Sequence, residues 1–129
     1  NAAFDLLQRR RARGPSEVVV AAAYLENGEI LLGSHFEGTC DAACLCAETG
    51  PICEANTRGA KLVASICLLQ EKPDSPVLVL APCGICQERL RVFGVDIQVA
   101  VATLDAPQRY KSIPLSSLSS FHWTDAFAP

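Results

Sequence analysis

The chain has 129 residues, half of them hydrophobic and 19% charged, with a mean hydropathy of +0.22. That balance excludes a disordered tail and fits one domain over residues 1–129 with a buried core. Eleven Lys and Arg against fourteen Asp and Glu leave a net charge of −3, the wrong sign for gripping a phosphate backbone. No apolar run approaches the ~20 residues of a membrane span and no signal peptide is visible. A cytoplasmic chain with neither a polynucleotide nor a membrane as partner is therefore expected.

Residues 2–12 read as a short helix with Phe4, Leu6 and Leu7 on one stripe. Arg9, Arg10, Arg11 and Arg13 follow as a solvated basic end that complements the helix dipole, and Gly14-Pro15 stops the helix. Val18 to Leu25 is continuously apolar, a buried strand, and Asn27-Gly28 turns the chain into a returning strand over 30–36. After a loop over 37–45, residues 46–58 have helical composition and are closed by Gly59. Gly50-Pro51 places the regular start of that helix near Thr49, or kinks it there, because proline is tolerated only in the first turn. Further strands are expected over 62–69, 77–80 and 97–103, and a helix over 83–93 closed by Gly94. Residues 104–114 read as irregular, and 115–127 as a short helix with an aromatic tail. Helices alternating with apolar strands argue for one sheet with helices packed on it.

Seven cysteines, an odd number, with no secretory signal point to reduced thiols, some of them holding a metal. Cys53 and Cys67 lie in apolar stretches and read as core fillers. Two strings stand apart: Cys46-Ala47-Glu48 and Pro82-Cys83-Gly84-Ile85-Cys86. A C-x-x-C pair alone is a redox dithiol, half of a structural zinc site, or two ligands of a catalytic metal. Here Pro82 ends a strand and Cys83 opens a helix, so both thiols lie on one first turn where the helix N-terminus favours thiolates. Cys46 opens another helix 37 residues earlier. If the intervening strands pair in parallel, the two helix starts meet at one sheet edge and three thiolates converge on one Zn²⁺. The fourth tetrahedral position is then left to water, as catalytic sites require. Glu48 is the residue that selects this reading, because a carboxylate beside an activated water can take its proton and hand it to a leaving amine.

The paired motifs follow the pattern of zinc nucleobase deaminases, and from about Pro15 to Trp123 the sequence resembles the cytidine deaminase superfamily. Its likeness is to the small all-cysteine branch that includes homotetrameric cytidine deaminases and blasticidin-S deaminase. The resemblance implies a three-layer α/β/α fold with a five-stranded mixed sheet. It implies hydrolysis of the 4-amino group of a cytosine nucleoside or analogue, and a homo-oligomer, dimer or tetramer. It also implies Zn²⁺ on Cys46, Cys83 and Cys86, Glu48 as proton shuttle, and the backbone around Ala47 against the polar edge of the ring. The family's ribose-binding Asn and Glu fall eleven and nine residues before the first zinc Cys, at His35 and Glu37, with Phe36 between them in substrate contact. Its ring-stacking Phe falls at Val18, which offers no π-face. Relatives follow the motifs with Arg and with Arg-Gln; here the residues are Thr49-Gly50 and Gln87-Glu88, with Arg58, Arg89 and Arg91 as candidates to compensate. In the family a C-terminal aromatic reaches a neighbour's site, which makes Phe121, Trp123 and Phe127 a candidate inter-subunit lid. His122 reads as a surface or interface residue.

Three readings compete. The first is a deaminase of cytidine, deoxycytidine or a modified analogue of the blasticidin-S type. The second is a catalytically silent zinc-binding assembly module of the same fold, and the third a redox protein using Cys83 and Cys86. A fourth sulfur from Cys40 or Cys44 would close the metal sphere and remove the task of Glu48.

Overall fold

In the computed structural model, which describes residues 1–14 and 17–127, helix α1 (Ala2–Arg11) starts on Asn1, whose side chain accepts the Phe4 amide. Pro15 and Ser16, part of the expected helix stop, lie outside the described residues. The basic end of α1 is not simply solvated: Arg11 donates from Nε to Gln70 Oε1 and from Nη2 to Gln70 O, tying the helix to the sheet. Strands β1 (Val18–Leu25) and β2 (Ile30–Ser34) form the hairpin. Helix α2 (Thr49–Arg58) follows with Glu48 at its N-cap, and Gly59 ends it in the left-handed conformation. Pro51 thus sits in the first turn, where its missing N–H has no intrahelical partner to lose. Strand β3 (Leu62–Gln70), a short β4 (Leu78–Leu80), helix α3 (Gly84–Leu90) and strands β5 (Gln98–Thr103) and β6 (Ala106–Pro114) complete the elements, with 3₁₀ turns between and after them.

The sheet runs β2-β1-β3-β5-β6, with β4 paired on β3, and only β3–β5 is parallel. The five-stranded path matches the expected mixed sheet. The sixth strand is β4, and β6 lies in the stretch read as irregular. Side-chain alternation divides the core into two layers. Val18, Val20 and Ala22 pack with Ala3 and Leu7 of α1 and with Ile66 and Leu68. On the other face Ala23, Leu25 and Leu31 meet Ile52 and Ala55 of α2, Leu90 of α3 and Leu115. Leu7 and Leu90 are fully buried, each contributing roughly 2–3 kcal/mol. The result is the three-layer α/β/α arrangement.

What positions the site is register. Gly33, Ala21, Cys67 and Leu80 stand opposite one another across β2, β1, β3 and β4, and so share one face. A Cβ on Gly33 would lie 2.5 Å from Pro51 Cδ and against the Ala47 carbonyl, so the start of α2 lies directly over this line. Leu80 leads within three residues to Cys83, the N-cap of α3. The two helix starts therefore meet without the parallel pairing that the sequence suggested; β4 runs antiparallel to β3.

Candidate metal and substrate site

Cys46, just before α2, and Cys83 and Cys86, on the first turn of α3, bring their sulfurs within 4.8 Å of one another. The Cys46 and Cys83 sulfurs are 3.6 Å apart. Bonds of about 2.3 Å to a tetrahedral ion hold two sulfurs about 3.8 Å apart, so the Cys46–Cys83 spacing and the three-thiol donor set suit Zn²⁺. Among the described residues no fourth Cys, His or carboxylate belongs to the cluster, and one position is left open. Cys40 and Cys44 are exposed, and Cys44 instead approaches the Cys40 carbonyl with its sulfur 3.6 Å away.

The thiols are electrostatically unequal. Burial, then the bond to Cys83, pushes the Cys46 thiol up. Burial and the neighbouring Glu48 charge push Cys86 up as well. Partial burial acts in the same direction on Cys83, but the backbone N–H groups of Cys86 and Ile85 and the two partner thiols outweigh it, leaving Cys83 below the ordinary range. Glu48 is 5% exposed, and its Oε2 lies 3.5 Å from the Cys86 sulfur. Across this gap the Cys86 thiol donates to the carboxylate, and a divalent cation would favour the thiolate instead.

A cavity of about 380 Å³ opens beside the cluster. Of the residues expected at the substrate, His35, Phe36, Glu37, Ala47 and Glu48 all line it. His35 is locked in place. Its Nδ1 lies 3.2 Å from the Val19 amide nitrogen and 3.3 Å from the Val19 carbonyl oxygen, and its Nε2 lies 3.4 Å from Glu37 Oε1. Phe36 and Leu45 exchange two backbone hydrogen bonds, of 3.0 and 2.9 Å, which pins the loop between them.

Val18 is a correction. It is fully buried against α1, and Val19, one residue on, faces the cavity. A one-residue offset along a strand moves a side chain to the opposite face. Cys67 is buried in the core as expected and also lines the cavity, its thiol pushed up by burial and by Glu48. Cys53 departs from expectation and is exposed on α2. Sequence reasoning missed Val19, Cys67 and Leu80 in the lining; the cross-strand register was the signal that would have found them.

Of the candidate compensating arginines, Arg58 pairs with Glu29 and Glu54 at 2.7 Å each. Arg91 donates to Thr124, and Arg89 reaches Thr49 Oγ1 at 3.0 Å, beside Glu48. Phe121, Trp123 and Phe127 are 99%, 66% and 79% exposed, and none lines the cavity of its own chain. His122 is less exposed than expected, its side chain 6% accessible, held by Glu88 Oε1 at 2.6 Å and Thr124 Oγ1 at 2.7 Å.

No family model matches the chain. Among curated proteins, a cytidine deaminase of Mycobacterium tuberculosis (strain H37Rv) is 34% identical over 77 residues, 59% of this chain. The match spans about half of that relative's length, 54%. The solved cytidine deaminase of Bacillus anthracis superimposes with a TM-score of 0.82 at 33% identity, over 98% of this chain and 90% of that one. That of Mycobacterium leprae does so with a TM-score of 0.60 at 26% identity, over 89% and 95%. At 33% identity over 90% of the Bacillus anthracis enzyme, this chain belongs to the cytidine deaminase superfamily.

Proposed function

We propose that the protein hydrolyses the 4-amino group of a cytosine nucleoside, cytidine, deoxycytidine or a modified analogue, giving the uracil form and ammonia. The observation that carries this reading is the buried Glu48 beside an open-sided three-sulfur cluster at the wall of a nucleoside-sized cavity. At about 380 Å³ the cavity lies at the small end of ligand sites, which run from ~300 to 1,000 Å³. Glu17, Glu37 and Glu48 line it, and no Lys or Arg does among the described residues. A phosphate would meet three carboxylates there, so the substrate is the free nucleoside rather than a nucleotide or a polynucleotide.

Cys46, Cys83 and Cys86 would hold Zn²⁺, which when bound would supply water acidification and Lewis-acid stabilisation of developing charge. Glu48 takes the proton of the attacking water on a carboxylate oxygen. It delivers that proton to the ring nitrogen, then takes the second proton from the added hydroxyl and passes it to the amine as the carbon–nitrogen bond breaks, so that water and the aminopyrimidine become oxo-pyrimidine and ammonia. Positioned transfer of this kind contributes ~10²–10⁴-fold. The backbone of Ala47 lies on the cavity wall for the polar ring edge, and Val19 and Phe36 supply apolar walls for the ring faces. His35 Nε2 and the Glu37 carboxylate, 3.4 Å apart and both lining the cavity, are the polar pair for sugar hydroxyls. Because His35 is fixed by the Val19 backbone and Val19 offers no π-face, an analogue altered at the sugar or ring is the second reading.

The exposed aromatics at 121, 123 and 127 support a homo-oligomer, dimer or tetramer, in which this segment covers a neighbour's cavity. Seven free cysteines support a reducing, cytoplasmic location. Glu48→Gln tests the mechanism. Zinc content stays at one per chain, while the fall in ultraviolet absorbance of cytidine is lost by at least ~10²-fold. Undiminished turnover, or zinc lost with the carboxylate, refutes the assignment.

A further inference from the structure

Cys83 is the exposed member of the three ligands, whereas Cys46 is half-buried. It is the N-cap of α3 with extended backbone. Cys86, by contrast, is fully buried. What fixes the main chain at Cys83 is Gln87. The Gln87 backbone N–H donates to Cys83 O at 2.8 Å, and its side-chain Nε2 donates to Pro82 O at 2.8 Å. The two carbonyls that bracket the Cys83 Cα are thus held by one residue.

The Gln87 amide is itself oriented from outside. With Nε2 committed to a carbonyl, Oε1 is free to accept, and the Ser119 hydroxyl donates to it at 3.0 Å. Ser119 belongs to the C-terminal segment, which two more bonds dock on the same region: His122 to Glu88 at 2.6 Å and Arg91 to Thr124 at 3.1 Å. The chain therefore has a continuous path, Ser119 Oγ to Gln87 to Pro82 O, from its C-terminal segment to the residue preceding a metal ligand.

We propose that Gln87, oriented by Ser119, is a positioning residue for the metal site. It fixes the Pro82–Cys83 main chain so that the exposed Cys83 sulfur stays at metal-binding distance from Cys46, and the C-terminal segment thereby governs how long the metal is retained. The inference rests on the zinc-site reading above. Partners one step beyond the ligands typically alter metal affinity 10–100-fold when removed. Gln87 lies within a helix, and alanine there keeps the helix propensity and the main-chain bond to Cys83 O. The substitution isolates the side-chain path.

The test is zinc release from the loaded protein into excess chromogenic chelator, followed as a first-order rate. Gln87→Ala is expected to release zinc about tenfold faster and Ser119→Ala about threefold faster. Ser119→Thr, which keeps the hydroxyl, should release it near the wild-type rate. Because Ser119 acts through Gln87, the double variant should be no faster than Gln87→Ala alone, a non-additivity that two independent packing defects would not give. In nucleoside assays kcat per chain falls with zinc occupancy while KM is unchanged. Wild-type release rates in both single variants, or rates that multiply in the double variant, overturn the proposal. If Gln87→Ala fails to fold, Ser119→Ala and its threonine counterpart still decide it. A wild-type chain that takes up no zinc overturns the metal reading and this inference together, whereas a zinc-loaded chain with fast-releasing variants and no deamination upholds the relay alone.

Discussion

Gly33→Ala is the substitution that probes how the sheet sets the site. The added Cβ would stand 2.5 Å from Pro51 Cδ and 3.1 Å from Pro51 Cγ, and would press on the Ala47 carbonyl. Carbon atoms in contact normally lie ~3.5–4.0 Å apart, so the start of α2 has to retreat by about 1 Å. Ala47 stands between Cys46 and Glu48, and the retreat moves both. Overpacking of this kind costs ~1–3 kcal/mol, against a gain of ~0.5–1 kcal/mol from replacing glycine within a strand. The net loss of about 1–2 kcal/mol corresponds to a fall in Tm of roughly 4–8 °C. A misplacement near 1 Å at reacting groups costs on the order of 10²-fold in rate. The assay is a thermal melt of zinc-loaded protein beside kcat for cytidine. Gly50→Ala serves as the control, because it lies in the same helical turn and its Cβ would meet nothing within 4 Å. It should melt at or slightly above the wild-type temperature. Gly33→Ala protein that melts as high as wild type with unchanged kcat would refute the claim that β2 sets the position of the α2 start.

Other consequences are measurable. His35→Ala should raise KM for cytidine by about tenfold with kcat within threefold, since a lost neutral hydrogen bond to the sugar is uniform binding of ~1 kcal/mol. A fall in kcat at unchanged KM would place His35 in the chemistry instead. Stripping zinc with a chelator should lower Tm, and zinc restored at about a hundred times its Kd should return ~2.7 kcal/mol of stability; a melt indifferent to zinc argues against a native metal site. The Arg58 guanidinium, bonded to Glu29 with Asn27 assisting, holds the Glu29 carboxyl below the ordinary carboxylate range. Its contribution is present above the unfolded-state value near 4.3 and is lost as pH falls through the lower folded-state value. The Tm gap between wild type and Arg58→Ala should therefore close between about pH 5 and pH 2, and a gap that widens on acidification contradicts the pairing.

The parts of this molecule legible in the sequence are those where chemistry dictates residue type. Three thiolates and one carboxylate at helix starts have few other uses, so residue type and spacing are enough to group Cys46, Glu48, Cys83 and Cys86. The hairpin at Asn27-Gly28 and the start of α2 near Thr49 follow from backbone restrictions that Gly and Pro impose locally. What stayed hidden depends on pairing across the sheet. Val18 and Val19 are equivalent as residue types, and only the strand's face assignment tells that the first packs on α1 and the second on the cavity. Cys67 looked like filler because its neighbours are apolar; its place under Glu48 comes from standing opposite Ala21 and Leu80. β6 escaped because it pairs only with β5, and an edge strand with Lys111 and Tyr110 exposed lacks the continuous apolar run of a central one.

The departures at positions 87 and 88 form one coherent change. Where the resembling family has Arg-Gln, this chain has Gln87 and Glu88, and both are occupied by the C-terminal segment: Gln87 by Ser119, Glu88 by His122 and Trp123. An arginine at 87 would bring charge to the thiolates but could not accept from the Ser119 hydroxyl, because a guanidinium has only donors. The charge balance falls instead to main-chain groups and to a distant side chain. The N–H groups of Ile85 and Cys86 hold Cys83 below its ordinary range, and Arg89 reaches the start of α2 at Thr49. On the proposed relay, metal retention would be tied to the docking of residues 119–124. The same C-terminal segment presents Phe121, Trp123 and Phe127 to solvent, so an event that moves the aromatic segment would be felt at Cys83 through Ser119 and Gln87.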